Sequence, residues 1–244
     1  MIQQSISIVV ILVLSLTNSG CATTKHDKAT VNIKTLPFGA TLEGQKSWWH
    51  IQFVKQWPED TPPRFYYDPL IAEQIIKPVL LKYHNEIDLW RFHRRAGRDA
   101  AGSKFSFIFY TSVTNAKLIS QEIKDNKMLR RMIDAGLIEQ VWYDDYTTLP
   151  NPKIANTSDE AWPLEIQNSW PYYIMGVSQG WLALIGEITH DIPVDPDNAT
   201  IEELVTHYEN VSKSMDLIWL KMGGHAYIHH LSAIFAYEAV EVRF

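Results

Sequence analysis

One cysteine, Cys21, is the only thiol in the 244-residue chain, which excludes an intramolecular disulfide, a Cys-x-x-Cys redox pair and a thiolate metal cage. Apolar runs are short: the stretch from Ile6 to Leu16 is about 11 residues, where ~20 are needed to span a bilayer. Positive charge is not in excess. The 22 Lys and Arg stand against 28 Asp and Glu, a net charge of -6, which argues against a protein that binds nucleic acid by neutralising phosphates. A Gly-x-x-x-x-Gly-Lys-Ser or Gly-x-x-x-x-Gly-Lys-Thr phosphate loop is also absent.

What the chain does have is material for a core. Hydrophobic residues make up 46% and charged ones 20%, with 9 Trp, 11 Tyr and 9 Phe, so packing of large side chains replaces disulfides as the source of stability. The length suits one large domain, or one domain with a sizeable appendage.

Cys21 follows the apolar run after the short segment Thr17-Asn18-Ser19-Gly20, with small Ser19 and Gly20 just before it. This context resembles the lipobox of bacterial lipoproteins. The resemblance implies a signal peptide over residues 1–20, cleavage before Cys21, and attachment of lipid, including palmitate-type acyl chains, to that cysteine. It places the protein in the bacterial cell envelope, lipid-anchored at the outer membrane and facing the periplasm. Residues 21–46 are polar, without a sustained period, and read as the lipidated tether.

From Trp48 to Val54 the sequence alternates as a strand does, with Trp49, Ile51 and Phe53 on one face. Asp68-Pro69 reads as the start of a helix reaching about Asn85, kinked or divided at Pro78. Two strands, Asp88 to Arg94 and Lys104 to Thr111, form a hairpin, and a helix from about Asn115 ends at Gly136. Leu137 to Tyr146 is a fourth strand. The order β-α-β-β-α-β gives α+β architecture, a ferredoxin-like antiparallel sheet over residues 47–148. In this reading the first strand lies between the Trp90 and Trp142 strands.

Residues 149–160 are a linker loop, and 161–244 form a C-terminal helical extension. It comprises helices over Trp162 to Ile166 and Tyr172 to Ile188, and one opened by the capping box Thr200-Ile-Glu-Glu203. Gly223-Gly224 ends that helix before a last one from His225. The extension is expected to pack on the sheet face that the first two helices leave open.

Ligand-binding candidates follow from strand alternation. With Trp90 and Phe92 in the core, Arg91 and His93 reach the other face, where His50, Gln52, Ser106 and Tyr110 join them. Such donors suit an anionic small molecule or peptide. Arg94, Arg95, Arg98 and Lys104 add to the charge, which solvent or acids such as Asp144, Asp145 and Glu165 would otherwise balance. His225 and His229, four apart beside His230, share a helix face as two metal ligands would. The Glu beside the first histidine of a zinc-protease helix is missing, so neither metal nor cofactor is assigned. Trp170, Tyr172, Tyr173, Trp181 and Trp219 read as core and helix contacts, with a surface aromatic groove for a sugar or peptide as the alternative.

Trp90-Arg91-Phe92-His93-Arg94 and Gly136-Leu137-Ile138-Glu139-Gln140-Val141, in that order, resemble the C-terminal, thiopeptide-type domain of lantibiotic dehydratases, which performs glutamate elimination. The resemblance covers Trp48 to Tyr146 and implies a shared architecture and a peptide-binding surface. It does not imply the reaction. The family's His-Leu-Arg-x-Arg is replaced by Lys104-Phe105-Ser106-Phe107-Ile108, and Arg94 alone carries over. The sequence therefore predicts a membrane-anchored, extracytoplasmic, non-catalytic binding or interaction module with no nucleic-acid partner. The alternative is an envelope enzyme, a lyase related to the elimination domains or a metal-dependent hydrolase.

Overall fold

The computed structural model describes residues 44–97 and 102–239. The signal peptide, Cys21, the tether up to residue 43, and Arg98 lie outside the described residues.

The alternating segments form strands β1 (Lys46–Lys55), β2 (Leu89–Ala96), β3 (Ser103–Ser112) and β4 (Ile138–Tyr143). They make one four-stranded sheet in the order β2-β3-β1-β4, with every neighbouring pair antiparallel. Helices and an antiparallel sheet in one chain make this an α+β protein. The first strand does not lie beside the Trp90 strand, as the sequence suggested: β3 sits between them. The reason is in the side chains. Phe107, Ile108 and Phe109 of β3 are buried in succession, which needs cover on both faces, whereas the charges of Arg91, His93 and Arg94 suit β2 to an edge.

Register builds the core. Trp49 lies opposite Phe109, Ile51 opposite Phe107 and Phe53 opposite Phe105, while Phe92 of β2 meets Phe107 from the other side. All seven are buried, and each contributes roughly 1.5–3 kcal/mol by leaving water. Against this face lies α1, made of Tyr67–Ile71, a π-helical turn Ala72–Ile76 and Lys77–Lys82. Val113–Asp125 (α2) and Lys127–Asp134 (α3) join it, and Asn126 between them caps α3 by accepting from the Leu129 N–H. At the end of α3, Gly136 takes φ +68, with Gly136 N–H bonded to Ile133 O and Leu137 N–H to Met132 O, the glycine-terminated Schellman pattern.

Pro78 stands in the first turn of Lys77–Lys82, directly after the π-helical turn, so the helix is divided there as expected, whereas Pro171 sits inside a helix without ending it. Pro78 has no N–H for Gln74 O, and Asn126 Nδ2 donates there instead at 3.4 Å. Pro171 leaves Gln167 O without its donor, and Ser158 Oγ supplies one at 2.8 Å. As a result the two helices expected on either side of Pro171 are one, α4 (Leu164–Asp191). The helix α5 (Ile201–Gly223) opens on the Thr200–Glu203 capping box. It does not stop at the glycine pair: helical backbone runs on through the π-helical segment Gly224–His229 into α6 (His230–Ile234). Glycine weakens a helix without forbidding it.

The helical extension is not a layer over the open sheet face. Leu182 and Ile185 of α4 and Leu204, Tyr208 and Val211 of α5 enter the same core as α1. Edge strand β2 is capped by α4, where Phe92 N–H donates to Ser178 Oγ at 3.1 Å. On the other sheet face Trp48, Leu89 and Ile108 form a small buried apolar cluster among the described residues, against which Tyr110, Ile154 and, from α4, Met175 pack.

Candidate functional site

Cross-strand register settles where the candidates stand. His50 and Arg91 both face Ile108, Gln52 and His93 both face Ser106, and Tyr110 faces Trp48, so these share the sheet face away from the main core. Arg94, opposite Phe105, is on the core face. The shared face is largely occupied by the segment after β4. Asp144 Oδ2 accepts from His50 Nδ1 at 2.9 Å and from its backbone N–H at 2.8 Å. Tyr110 OH donates to Pro152 O at 2.8 Å, Trp48 Nε1 to Ile154 O at 2.9 Å, and Arg91 Nε to Thr157 Oγ1 at 2.9 Å.

Burial beneath this strap lowers the Arg91 pKa to about 10, and the guanidinium lies over the Trp170 ring at 5.0 Å. His93 is pushed below the ordinary imidazole value by burial, then by Arg91, Arg95 and His50. Three of the donors expected to hold an anion here, His50, Arg91 and Tyr110, thus hold residues 144–157, and Lys104 is stacked on Trp142 at 3.8 Å.

A large recess lies elsewhere. A cleft of about 860 Å³ opens between α4, α5 and the segment from Ala226 to Ile234, within the ~300–1,000 Å³ of small-molecule sites. One wall is the face of α4 carrying Tyr172, Tyr173, Gly176, Val177, Gly180 and Trp181, positions that recur three and four apart. Met215, Ile218 and Trp219 of α5 face them, and Ile228, Leu231 and Ile234 close the third side. A Cβ on Gly176 or Gly180 would meet nothing within 4 Å, so these glycines leave open space. Gly223 does the reverse: a Cβ there would fall 2.9 Å from the Trp219 ring, so its absence lets that ring lie on the helix and stack on Tyr227.

Tyr172 is 57% and Trp219 56% exposed, which corrects the expectation of core contacts for these two and favours a groove, whereas Trp181 packs against the core as expected. Besides three tyrosine hydroxyls and the indole N–H groups of Trp181 and Trp219, the lining carries polar groups on Arg94, Ser212, Asp216 and His230. The walls suit an apolar body.

Arg94 enters the cleft from the sheet. Its Nε donates to Asp68 Oδ2 at 2.8 Å, and Lys55 Nζ donates to Asp68 Oδ1 at 2.6 Å. Burial pulls the Lys55 pKa down, and Asp68 opposes that pull.

The sequence offered a surface aromatic groove on Tyr172, Tyr173, Trp181 and Trp219 only as the alternative to core contacts, because the cleft's walls come from three separate helical segments. The α4 stretch Gly176-Val177-Ser178-Gln179-Gly180 spells Gly-x-Ser-x-Gly, a motif expected to be absent. Its setting is not a nucleophile elbow, which needs a sharp strand-to-helix turn. Ser178 is buried in mid-helix, donates to Ile174 O at 2.8 Å and accepts from Phe92 N–H. The glycines serve the cleft, and the serine serves the sheet edge.

The π-helical turn gathers His225, His229 and His230, with ring centroids 5.5, 5.5 and 5.3 Å apart. Even so, no group of three His, Cys, Asp or Glu among the described residues is arranged to hold a metal ion. No helix among the described residues is long and apolar enough to cross a membrane. Comparison with protein-family models, with curated proteins and with solved structures finds no match to this chain.

Proposed function

We propose that this chain is a lipid-anchored protein of the bacterial envelope whose folded part is a non-catalytic binding module, and that the cleft between α4, α5 and α6 receives an apolar small molecule. The observation that carries the binding reading is the cleft itself: about 860 Å³, walled by aromatic and aliphatic side chains that face solvent, with space kept open at Gly176 and Gly180. Exposed apolar surface of this extent marks a binding surface in a folded protein. The anchor rests on the sequence around Cys21, and an acyl-rich surrounding suits an apolar cleft.

We also read the sheet as ferredoxin-like. Supporting this, the connection through α1 joins β1 to β2 across β3, and that through α2 and α3 joins β3 to β4 across β1.

Binding of the neutral dye N-phenyl-1-naphthylamine tests the cleft. The purified chain should enhance its fluorescence saturably at one site, and Gly180→Leu, which fills the cleft with a side chain that meets no neighbour at Cβ, should abolish this while leaving the fold intact. Unchanged dye binding in Gly180→Leu would contradict the reading.

A further inference from the structure

The triad at the sheet end of the cleft is unbalanced, and its imbalance is directed. Asp68 and Lys55 have side chains 0% and 1% exposed, with Lys55 Nζ 2.6 Å from one carboxylate oxygen. Arg94 takes the other oxygen at 2.8 Å and is 37% exposed. Two cations thus share one anion, and the member that reaches the cleft is Arg94.

Its guanidinium is held rather than free. It lies 5.0 Å from the Phe65 ring centroid and 5.3 Å from that of Trp181, and Nη2 donates to Phe65 O at 3.3 Å. Nη1 makes no hydrogen bond among the described residues. An oriented donor of unit charge set in apolar walls is a strong anion partner, because little water competes for it. The opposing charge is Asp216 on α5, an exposed lining residue, and the lining also includes Ser212 and His230.

Resting on the cleft reading above, we propose that the ligand is a single-chain amphiphile with an anionic head group, a carboxylate or a phosphate, whose head sits on Arg94 and whose acyl tail lies along the α4 face between Val177 and Trp219. Apolar walls select the tail. The Arg94 guanidinium, held at the sheet end with Nη1 unused among the described residues, selects the sign of the head.

Displacement of N-phenyl-1-naphthylamine from the full chain, with laurate, dodecyl phosphate, dodecanol and dodecyltrimethylammonium below their micellar concentrations, tests this. The expected result is that laurate or dodecyl phosphate binds about tenfold or more tightly than dodecanol, the range of a charge-assisted hydrogen bond. Whichever of the two is tighter names the head group. Arg94→Gln should remove that preference and leave dodecanol unchanged, while Arg94→Lys keeps part of it. Lys55 and Asp68 stay paired one to one in Arg94→Gln, so the core keeps its charge balance.

Equal affinity for laurate and dodecanol, a uniform loss for all four in Arg94→Gln, or tightest binding of the cationic amphiphile would overturn the head-group assignment. Those outcomes leave the cleft standing. Failure of the cleft itself would appear instead as dye binding insensitive to Gly180→Leu.

Discussion

Arg94 Nε lies 2.8 Å from Asp68 Oδ2, so a charge on the second strand is tied to a carboxylate on the first helix beneath the rim of the cleft. Since Lys55 Nζ holds the other oxygen at 2.6 Å, Asp68 is the hub of β1, α1 and β2 together. Asp68→Asn leaves two cations facing each other, one of them with a fully buried side chain, and should cost about 3–5 kcal/mol. Replacing Lys55 and Asp68 together by Met and Leu should cost far less, since no buried charge is then left alone. Urea unfolding of the two variants checks this order.

His207 supplies a pH dependence. Its Nε2 is buried without a hydrogen-bond partner among the described residues, and burial holds its pKa below the ordinary imidazole value, with Glu73 pulling the other way. In the range between that lowered value and ~6.5 the unfolded chain binds the proton and the folded chain does not, so stability falls as pH falls. The loss is about 1.4 kcal/mol for each unit of lowering. His93 acts with the same sign. His207→Phe should therefore flatten, without abolishing, the fall in urea midpoint from pH 7.5 to 5; an unchanged slope would be inconsistent with this origin.

Ser178 fastens α4 to the edge of the sheet. In Ser178→Ala the buried Phe92 N–H loses its acceptor, a cost of about 1–3 kcal/mol. Hydrogen exchange at the Phe92 amide should accelerate with that loss, while exchange in β1 follows global stability alone.

For the anchor, Cys21→Ala expressed with its leader should accumulate as the unprocessed precursor without acyl mass. Intact-mass measurement of the membrane fraction decides this, and a mature, acylated Cys21→Ala product would contradict the lipoprotein reading.

Local signals carried the fold some distance. The alternation of Trp49, Ile51 and Phe53, the terminating Gly136 and the Thr200–Glu203 capping box each act within a few residues, so each was visible in the sequence. Pro171 and the Gly223-Gly224 pair misled; at Pro171 what decides is remote, since Ser158 reaches Gln167 O. The sheet order escaped for a similar reason, since the burial of β3 on both faces depends on what covers each face.

For the site, alternation correctly grouped His50, Gln52, Arg91, His93, Ser106 and Tyr110 on one face. It had no means of showing that residues 144–157 fold back over them. The cleft needs three helical segments from positions 172 to 234, and no local pattern joins those.

The central claim is that the α4–α5–α6 cleft binds the tail of an anionic amphiphile. Isotope-filtered NMR of the full chain with ¹³C-labelled laurate tests it most directly. Contacts from the tail to Gly176, Val177, Gly180 and Trp219 are the predicted result; contacts to the His50 and His93 face, or none in the cleft at saturating laurate, would contradict it.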